Sequence, residues 1–157
     1  MSATAGSRAH FETLLSDISR AGVYHLPYHP ELPKEGREHL IAAAEACGYV
    51  VFHVDLARAR NKDELLAAIG RDMAFPEWFG ANWDALADCL ADLGWRPAEG
   101  YLVLLEHCDM LRARAESDLV AALQIFEEAA DAWREQGIAL WCLVDMQADG
   151  IAWLPGL

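Results

Sequence analysis

Apolar residues along the chain follow two spacings, one typical of helices and one typical of buried strands. Residues 36–47 carry apolar side chains at helical intervals and are followed by Gly48, a residue type common at helix ends. Apolar runs rich in β-branched residues at 49–56, 101–106 and 138–144 predict three strands. Further helices are predicted over 61–72, 82–93 and 117–136, where apolar positions again trace one helical face.

The alternation of strands and helices indicates an α/β fold in which helices connect parallel strands. The predicted architecture is a small parallel three-stranded sheet packed with helices, which a strand near Val23 could extend. Ahead of this core, residues 8–18 have the pattern of a short amphipathic helix, and three prolines punctuate residues 27–33. Residues 1–48 are therefore predicted to form an N-terminal extension, built of a helix, a proline-rich segment and a helix, that packs on the core.

The predicted helix 82–93 separates apolar and acidic side chains onto opposite faces. Asp84, Asp88 and Asp92 recur at intervals of four residues on one face. The apolar face comprises Trp83, Leu86, Leu90 and Leu93. Asn82 suits the N-cap and Asp84 lies in the first turn, where the helix dipole favours an acid. Asp88 and Asp92 lack such a local benefit, because their like charges repel and an acid near the C-terminus opposes the dipole.

Aromatic residues stand on both sides of this acidic helix along the chain. Trp78 precedes it and Trp95 follows it, in loops that contain Gly80 and Gly94. Aromatic side chains on glycine-shaped loops are common anchors of protein interfaces, and a single-sign charge stripe attracts a cationic partner. The alternative is a solvated helix face that serves solubility, and the pattern alone leaves both interpretations open.

Composition narrows the classes of partner. The 157 residues include 25 acidic and 12 basic side chains, for a formal net charge of −13. This balance argues against direct nucleic-acid binding, because phosphate recognition needs clustered Lys and Arg. No segment has the roughly 18 apolar residues of a membrane helix, and the start of the chain lacks the pattern of a secretion signal. With four cysteines and no Cys-x-x-Cys pair, the sequence predicts reduced thiols and a cytoplasmic protein without membrane association.

Two other groups of residues could carry chemistry. The tripeptide 107–109, His-Cys-Asp, follows the second predicted strand, but neighbours in an extended segment point apart and do not form a catalytic triad. His25 and His29 are separated by Pro27, which breaks the helix that a His-x-x-x-His metal site needs. The sequence therefore predicts no enzyme activity, no metal and no cofactor.

Residues 75–90 carry a longer motif. Their sequence, FPEWFGANWDALADCL, resembles the barstar family of ribonuclease inhibitors, which has a proline, paired aromatics, a Gly-x-Asn turn and two acids four residues apart. A strand ending at Glu106, the helical segment 123–129 and a terminal strand follow in the family's order. The resemblance covers about residues 49–146, and it implies a barstar-like domain over 49–157 with a compact parallel three-stranded sheet.

The resemblance implies an intracellular ribonuclease inhibitor, of the antitoxin or immunity type, whose acidic helix occludes the basic active site of a barnase-like ribonuclease. Asp84 and Asp88 would make the charged contacts, with the Asp88 carboxylate in place of a substrate phosphate. The implied partner-binding residues are Trp78, Gly80, Asn82, Asp84, Ala87, Asp88, Gly94 and Trp95. The alternative is a barstar-like interaction domain that binds another basic protein without inhibiting a ribonuclease.

The chain departs from the family pattern at two positions. Ala87 stands where the family's best-known member has a Trp before the second acid, and Val120 aligns with an interfacial Glu. Glu116 and Asp118 are the nearby acids that could replace it. The mode of binding follows from the motif, whereas the identity of the partner does not.

Overall fold

The computed structural model describes residues 8–26, 34–76, 80–94 and 96–146. The N-terminal elements are α1 (Arg8–Leu15), a short 3₁₀ turn (Ile18–Arg20), β1 (Val23–Leu26), α2 (Lys34–Ala46) and β2 (Tyr49–Asp55). They are followed by α3 (Lys62–Asp72), α4 (Trp83–Asp92), β3 (Gly100–Glu106), α5 (Asp109–Glu135) and β4 (Ala139–Asp145). None of the helices in this described part is long and apolar enough to cross a bilayer.

The strands form one parallel sheet in the order β1-β4-β3-β2. The chain crosses from β1 at one edge to β2 at the other and then returns strand by strand. Because strand-helix-strand connections are right-handed, these opposite directions of travel place the connecting helices on opposite faces. The packing agrees, since α1 and α2 cover one face while α3, α4 and α5 cover the other.

The predicted α/β class is confirmed, with a correction to the strand count. The described residues contain a four-stranded sheet rather than a three-stranded one, because Val23–Leu26 pairs in register with Cys142–Asp145 of β4. This strand is only four residues long and lies next to the prolines of segment 27–33, which is outside the described residues. The formation of this strand therefore depends more on the backbone hydrogen-bonding groups that β4 offers at its edge than on a strand pattern in residues 23–26 themselves.

Two apolar layers meet the sheet, one on each face. Leu102 and Trp141 point toward α1 and α2, whereas their neighbours Val103 and Cys142 point toward α3 and α5. All four side chains are fully buried. Burial on both faces explains why β3 and β4 read as continuous apolar runs instead of alternating ones.

The N-terminal elements are joined to the rest of the chain by polar contacts as well as by packing. The Leu15 carbonyl accepts hydrogen bonds from the Tyr49 hydroxyl at 2.7 Å and from Trp141 Nε1 at 3.3 Å. Arg134 Nη1 of α5 donates to the Ala21 carbonyl at 2.6 Å. Arg37 of α2 bridges Glu106 of β3 and Asp145 of β4, with 2.9 Å to each carboxylate. Residues 147–157 lie outside the described part of the chain.

The longest helix begins earlier than the sequence pattern predicts. α5 starts at Asp109 and kinks at Ala115, whose backbone angles are φ −149° and ψ 53°. Only Leu111 is buried before the kink, so this first part lacks the repeating apolar face by which a helix is recognised in sequence. After the kink the helix follows the predicted range, and Gly137 ends it at φ 76°.

Asp72 joins the end of α3 to the end of β2. Its Oδ2 accepts from the Asp55 backbone N–H at 2.9 Å, and its Oδ1 accepts from Arg71 Nε at 2.8 Å. The hydrogen bond from Arg71 is the main reason that the pKa of Asp72 lies below its ordinary value; partial burial opposes this shift and the Asp55 N–H reinforces it.

This lowered pKa predicts a pH-dependent contribution to stability. The ionised carboxylate stabilises the folded chain above the unfolded-state pKa of about 3.9, and the contribution is lost as pH falls through the lower folded-state value. The difference in unfolding free energy between wild type and Asp72→Asn is therefore expected to be constant above about pH 5 and to narrow below about pH 4. Urea unfolding at several pH values measures it, with the exposed Asp63→Asn as control. A difference that does not change with pH would contradict the assignment.

Candidate protein-interaction surface

The loop before α4 sets where the acidic helix begins. Asn82 is the N-cap, and its Oδ1 accepts from the Ala85 N–H at 2.8 Å. Its Nδ2 donates to the Gly80 carbonyl at 3.5 Å. Ala81 between them has φ 51°, a left-handed conformation that costs a non-glycine residue on the order of 1 kcal/mol. The N-cap predicted from the sequence is confirmed, and the turn before it is held by the same side chain.

The inner face of α4 is buried, and its last turn is held by α5. Leu86, Cys89 and Leu90 are fully buried. Trp133 Nε1 donates to the Leu90 carbonyl at 2.8 Å, one of the last carbonyls of a helix, which lack a partner within the helix itself. Leu93 then leaves the helix at φ 47° with its side chain fully buried. These contacts fix α4 on the domain and determine which of its faces meets solvent.

The outer face of α4 carries the predicted acidic stripe. Asp84, Asp88 and Asp92 are all exposed. Within the part of the chain that the structure describes, none of the three forms an ion pair with a basic side chain. Arg71, which precedes the helix in sequence, is paired with Asp72, and Arg96, which follows it, forms no ion pair with a described residue.

A second cation near the start of α4 is also engaged elsewhere. Lys62 of α3 places its Nζ 5.3 Å from the centre of the Trp83 ring, within the range of a cation–π interaction. Trp83 is half-buried and packs against the core. Lys62 therefore stabilises the junction of α3 and α4 without an ion pair to Asp84.

Asp88 and Asp92 differ in their surroundings. A Cβ on Gly94 would lie only 2.9 Å from Asp92 Oδ1, so the Asp92 carboxylate rests against the turn after the helix in space that a side chain at position 94 would occupy. Asp88 has no comparable contact with a described residue. Burial is the main reason that the pKa of Cys89 is raised to about 11, and the charges of Asp88 and Asp92 add to the shift.

The structure places six of the eight predicted partner-binding residues in one continuous unit of loop, helix and turn. These are Gly80, Asn82, Asp84, Ala87, Asp88 and Gly94. Trp78 and Trp95 lie outside the described residues. Val120 is half-buried on α5, and no ion pair links the nearby Glu116 or Asp118 to another described residue.

Sequence reasoning missed the part that Trp133 plays in holding this surface. The periodicity of α5 correctly assigns Trp133 to its apolar face. Nothing in that periodicity shows that the indole N–H reaches a carbonyl of α4, 43 positions earlier in the chain. A buried Trp usually finds an acceptor for its N–H, and that is the only signal available from sequence.

The residues considered for catalysis and metal binding have other environments. Cys108 is fully buried, its Sγ donates to the Leu105 carbonyl at 3.3 Å, and burial raises the pKa of its thiol far above the ordinary value. A buried thiol with a raised pKa is a poor nucleophile. Among the described residues, no group of three or more His, Cys, Asp and Glu side chains could hold a metal ion. His29 lies outside them.

The solved structures that share this fold include two of the Aeropyrum pernix ORC2 protein. The ADP form has a TM-score of 0.60 and 19% sequence identity over 90% of this chain and 40% of that chain. The ADPNP-ADP complexes have a TM-score of 0.53 and 20% identity over 89% of this chain and 40% of that chain. The chain thus spans less than half the length of these ORC2 chains, and at this identity the similarity concerns the fold.

These comparisons correct the functional prediction made from the sequence. The two solved structures just described are of an ORC2 protein, and neither is described as a ribonuclease inhibitor. No curated protein matches the chain, so no curated relative supports inhibition. The prediction of ribonuclease inhibition as the main function is therefore wrong, and the findings agree better with its alternative, an interaction domain of the barstar type.

The family resemblance itself is confirmed. The model of the family described as Barstar (barnase inhibitor) matches residues 49–145, which span β2 through β4 and contain the whole of α4. The match therefore covers more than half of the chain, including both strands that flank the acidic helix in sequence. This protein belongs to the barstar family.

Proposed function

We propose that this protein is a non-catalytic interaction domain that binds a basic partner protein through the outer face of α4, without inhibiting a ribonuclease. The observation that carries the proposal is the exposed stripe of Asp84, Asp88 and Asp92, none of which is ion-paired with another described residue. Such a stripe costs stability through repulsion between neighbouring carboxylates. A cationic partner offsets that cost on binding.

The distribution of charge supports a cationic partner. α4 and the part of α5 after its kink together contain nine acidic residues and one basic residue, and so carry −8 of the formal net charge of −13. The single basic residue, Arg134, is paired with Asp131. A surface dominated by one sign of charge raises the rate at which an oppositely charged protein arrives.

The hydrogen bonds that hold α4 on the domain also favour a role in protein recognition. Asn82 and Trp133 hold the two ends of α4 through side-chain hydrogen bonds, so the carboxylates are presented on a fixed helix. Pre-organisation of this kind reduces the entropy lost on binding. We place this function in the cytoplasm. Cys47, Cys89, Cys108 and Cys142 are all free of disulfide bonds, and the cytoplasm is a compartment in which thiols stay reduced.

Electrostatic recognition predicts a strong effect of salt on binding. The association rate with the basic protein captured by the immobilised chain at low salt is expected to fall steeply between about 0.01 M and 0.15 M ionic strength, because the Debye length shortens from roughly 30 Å to 8 Å. Stopped-flow or surface-based kinetics measures this rate. An association rate that does not change with salt, or equal capture of acidic proteins, would contradict the proposal.

A further inference from the structure

The strand β2 lies at one edge of the sheet with its outer side open. Among the described residues it pairs with β3 alone, because the strand order is β1-β4-β3-β2. Along a strand, the backbone N–H and C=O groups of successive residues point alternately to one neighbour and to the other. Every second residue of β2 therefore directs its backbone groups away from the sheet.

Two hydrogen bonds show which residues of β2 face outward. The Leu56 N–H donates to a carbonyl of β3 at 2.9 Å. The Asp55 N–H points the other way and donates to a carboxylate of α3 at 2.9 Å. By alternation, the backbone groups of Tyr49, Val51 and His53 point outward together with those of Asp55.

The end of this edge is closed and its middle is open. The outward N–H of Asp55 is held by Asp72, and its carbonyl accepts from Arg71 Nη2 at 3.5 Å. No residue within the described ranges forms a hydrogen bond with the outward backbone groups of Val51 or His53. The open segment thus runs from residue 49 to residue 53, and Val51 is at its centre.

The open segment lacks the features that usually keep a sheet edge from pairing. Natural edges are protected by charged side chains, prolines or bulges. Residues 49–52 have the sequence YVVF, without a charge, a proline or a glycine. The register with β3 is continuous from Tyr49 to Asp55, so the strand has no bulge. Val50 and Val51 are partly exposed. Such an edge is a template for the addition of another strand.

Charge indicates which strand this edge accepts. Residues 34–72 comprise β2 and the helices α2 and α3 that pack on it, and they contain six basic and seven acidic residues. This region carries −1 of the formal net charge of −13. It offers little attraction to a strongly basic protein. It is also a surface where two copies of this acidic chain approach each other with little repulsion.

We infer that two copies of this chain associate through their β2 edges, antiparallel to each other about a two-fold axis at Val51. Val51 then lies opposite its own counterpart, and Tyr49 lies opposite His53 of the second copy. Each opposed pair exchanges two backbone hydrogen bonds, and the surface is self-complementary, as a two-fold interface requires. The association is independent of the proposed function of α4, and it places two acidic stripes on one assembly.

Analytical ultracentrifugation of the full chain at physiological salt, from micromolar to millimolar concentration, tests this association. A reversible dimer is expected. Hydrogen exchange followed by NMR locates the interface, because the amides of Val51 and His53 should become protected as the concentration rises. The amide of Phe52, which points toward β3, should be protected at every concentration. A chain that stays monomeric throughout, or a dimer without this change at Val51 and His53, would overturn the inference.

Charge variants at the axis test the two-fold arrangement itself. Val51→Lys places like charges opposite each other and is expected to raise the dimer dissociation constant at least about tenfold, as is Val51→Glu. An equimolar mixture of the two should form a heterodimer, because lysine then lies opposite glutamate. Val51→Thr, a neutral β-branched replacement, should dimerise as wild type does, and thermal melts confirm that each variant is folded. Dimerisation of Val51→Lys at the wild-type level, or a mixture that stays monomeric, would contradict the proposed axis.

Discussion

Replacing Asp88 with alanine is expected to weaken binding of the basic partner far more than replacing Asp92. Asp88 lies in the middle of the exposed face of α4 without a described partner, whereas the Asp92 carboxylate rests against the turn at Gly94. Removing one member of a desolvated charge pair typically costs about 2–5 kcal/mol, a general range to which barstar interfaces themselves contributed. A charge at the rim mainly alters the association rate.

Stability measurements separate this effect from damage to the fold. Asp88→Ala should be no less stable than wild type, because it relieves repulsion from Asp84 and Asp92 at four-residue spacing. Glu45→Ala removes one exposed charge from α2, on the opposite side of the sheet, and should leave affinity almost unchanged. Calorimetric titration with the captured partner and thermal melts of each variant give both quantities. Equal affinities of wild type and Asp88→Ala would exclude this face of α4 as the binding site.

Deleting residues 1–26 is expected to abolish cooperative unfolding. The deletion removes α1 and β1, uncovers Trp141 and Leu143, and leaves the indole N–H of Trp141 without its acceptor at Leu15. Each large apolar side chain that loses burial costs about 1.5–3 kcal/mol, and whole domains are stable by only about 5–15 kcal/mol. Calorimetry and binding of a hydrophobic dye measure the outcome. A cooperative transition within a few degrees of wild type would show that the matched family region, 49–145, folds without these elements.

A single substitution gives a graded version of the same test. Leu15 is fully buried between α1 and the sheet, so Leu15→Ala is expected to cost about 2–5 kcal/mol by leaving a cavity. Thr13 on the same helix is exposed, and Thr13→Ala serves as the matched control with a change below about 0.5 kcal/mol. If both variants melted together, the packing of α1 against the sheet would not contribute to stability.

The faces of α4 illustrate what can be predicted from sequence. Asn82 caps the helix, the leucines are buried and the three aspartates are exposed, as the spacing of side chains along one helix predicts. These features could be predicted because they depend on residues a few positions apart, and because the regular spacing of side chains along a helix decides which of them share a face. The same reasoning does not predict the hydrogen bond from the Trp133 N–H to the Leu90 carbonyl, or the one from the Trp141 N–H to the Leu15 carbonyl. In each case the donor and the acceptor belong to segments that are distant in sequence.

The sequence by itself determined the α/β class, the three long strands, the positions of α3, α4 and the part of α5 after its kink, and the acidic stripe, since each follows from local periodicity and charge. Only the tertiary structure decided that Val23–Leu26 pairs with β4, that Asp92 rests on the turn at Gly94, and that Arg37 bridges Glu106 and Asp145. The reason is physical. A short strand gains its hydrogen bonds from the open edge of a neighbouring strand, and a contact between side chains of different elements depends on the distance between those elements. The spacing of residues along one segment contains neither the pairing nor the distance.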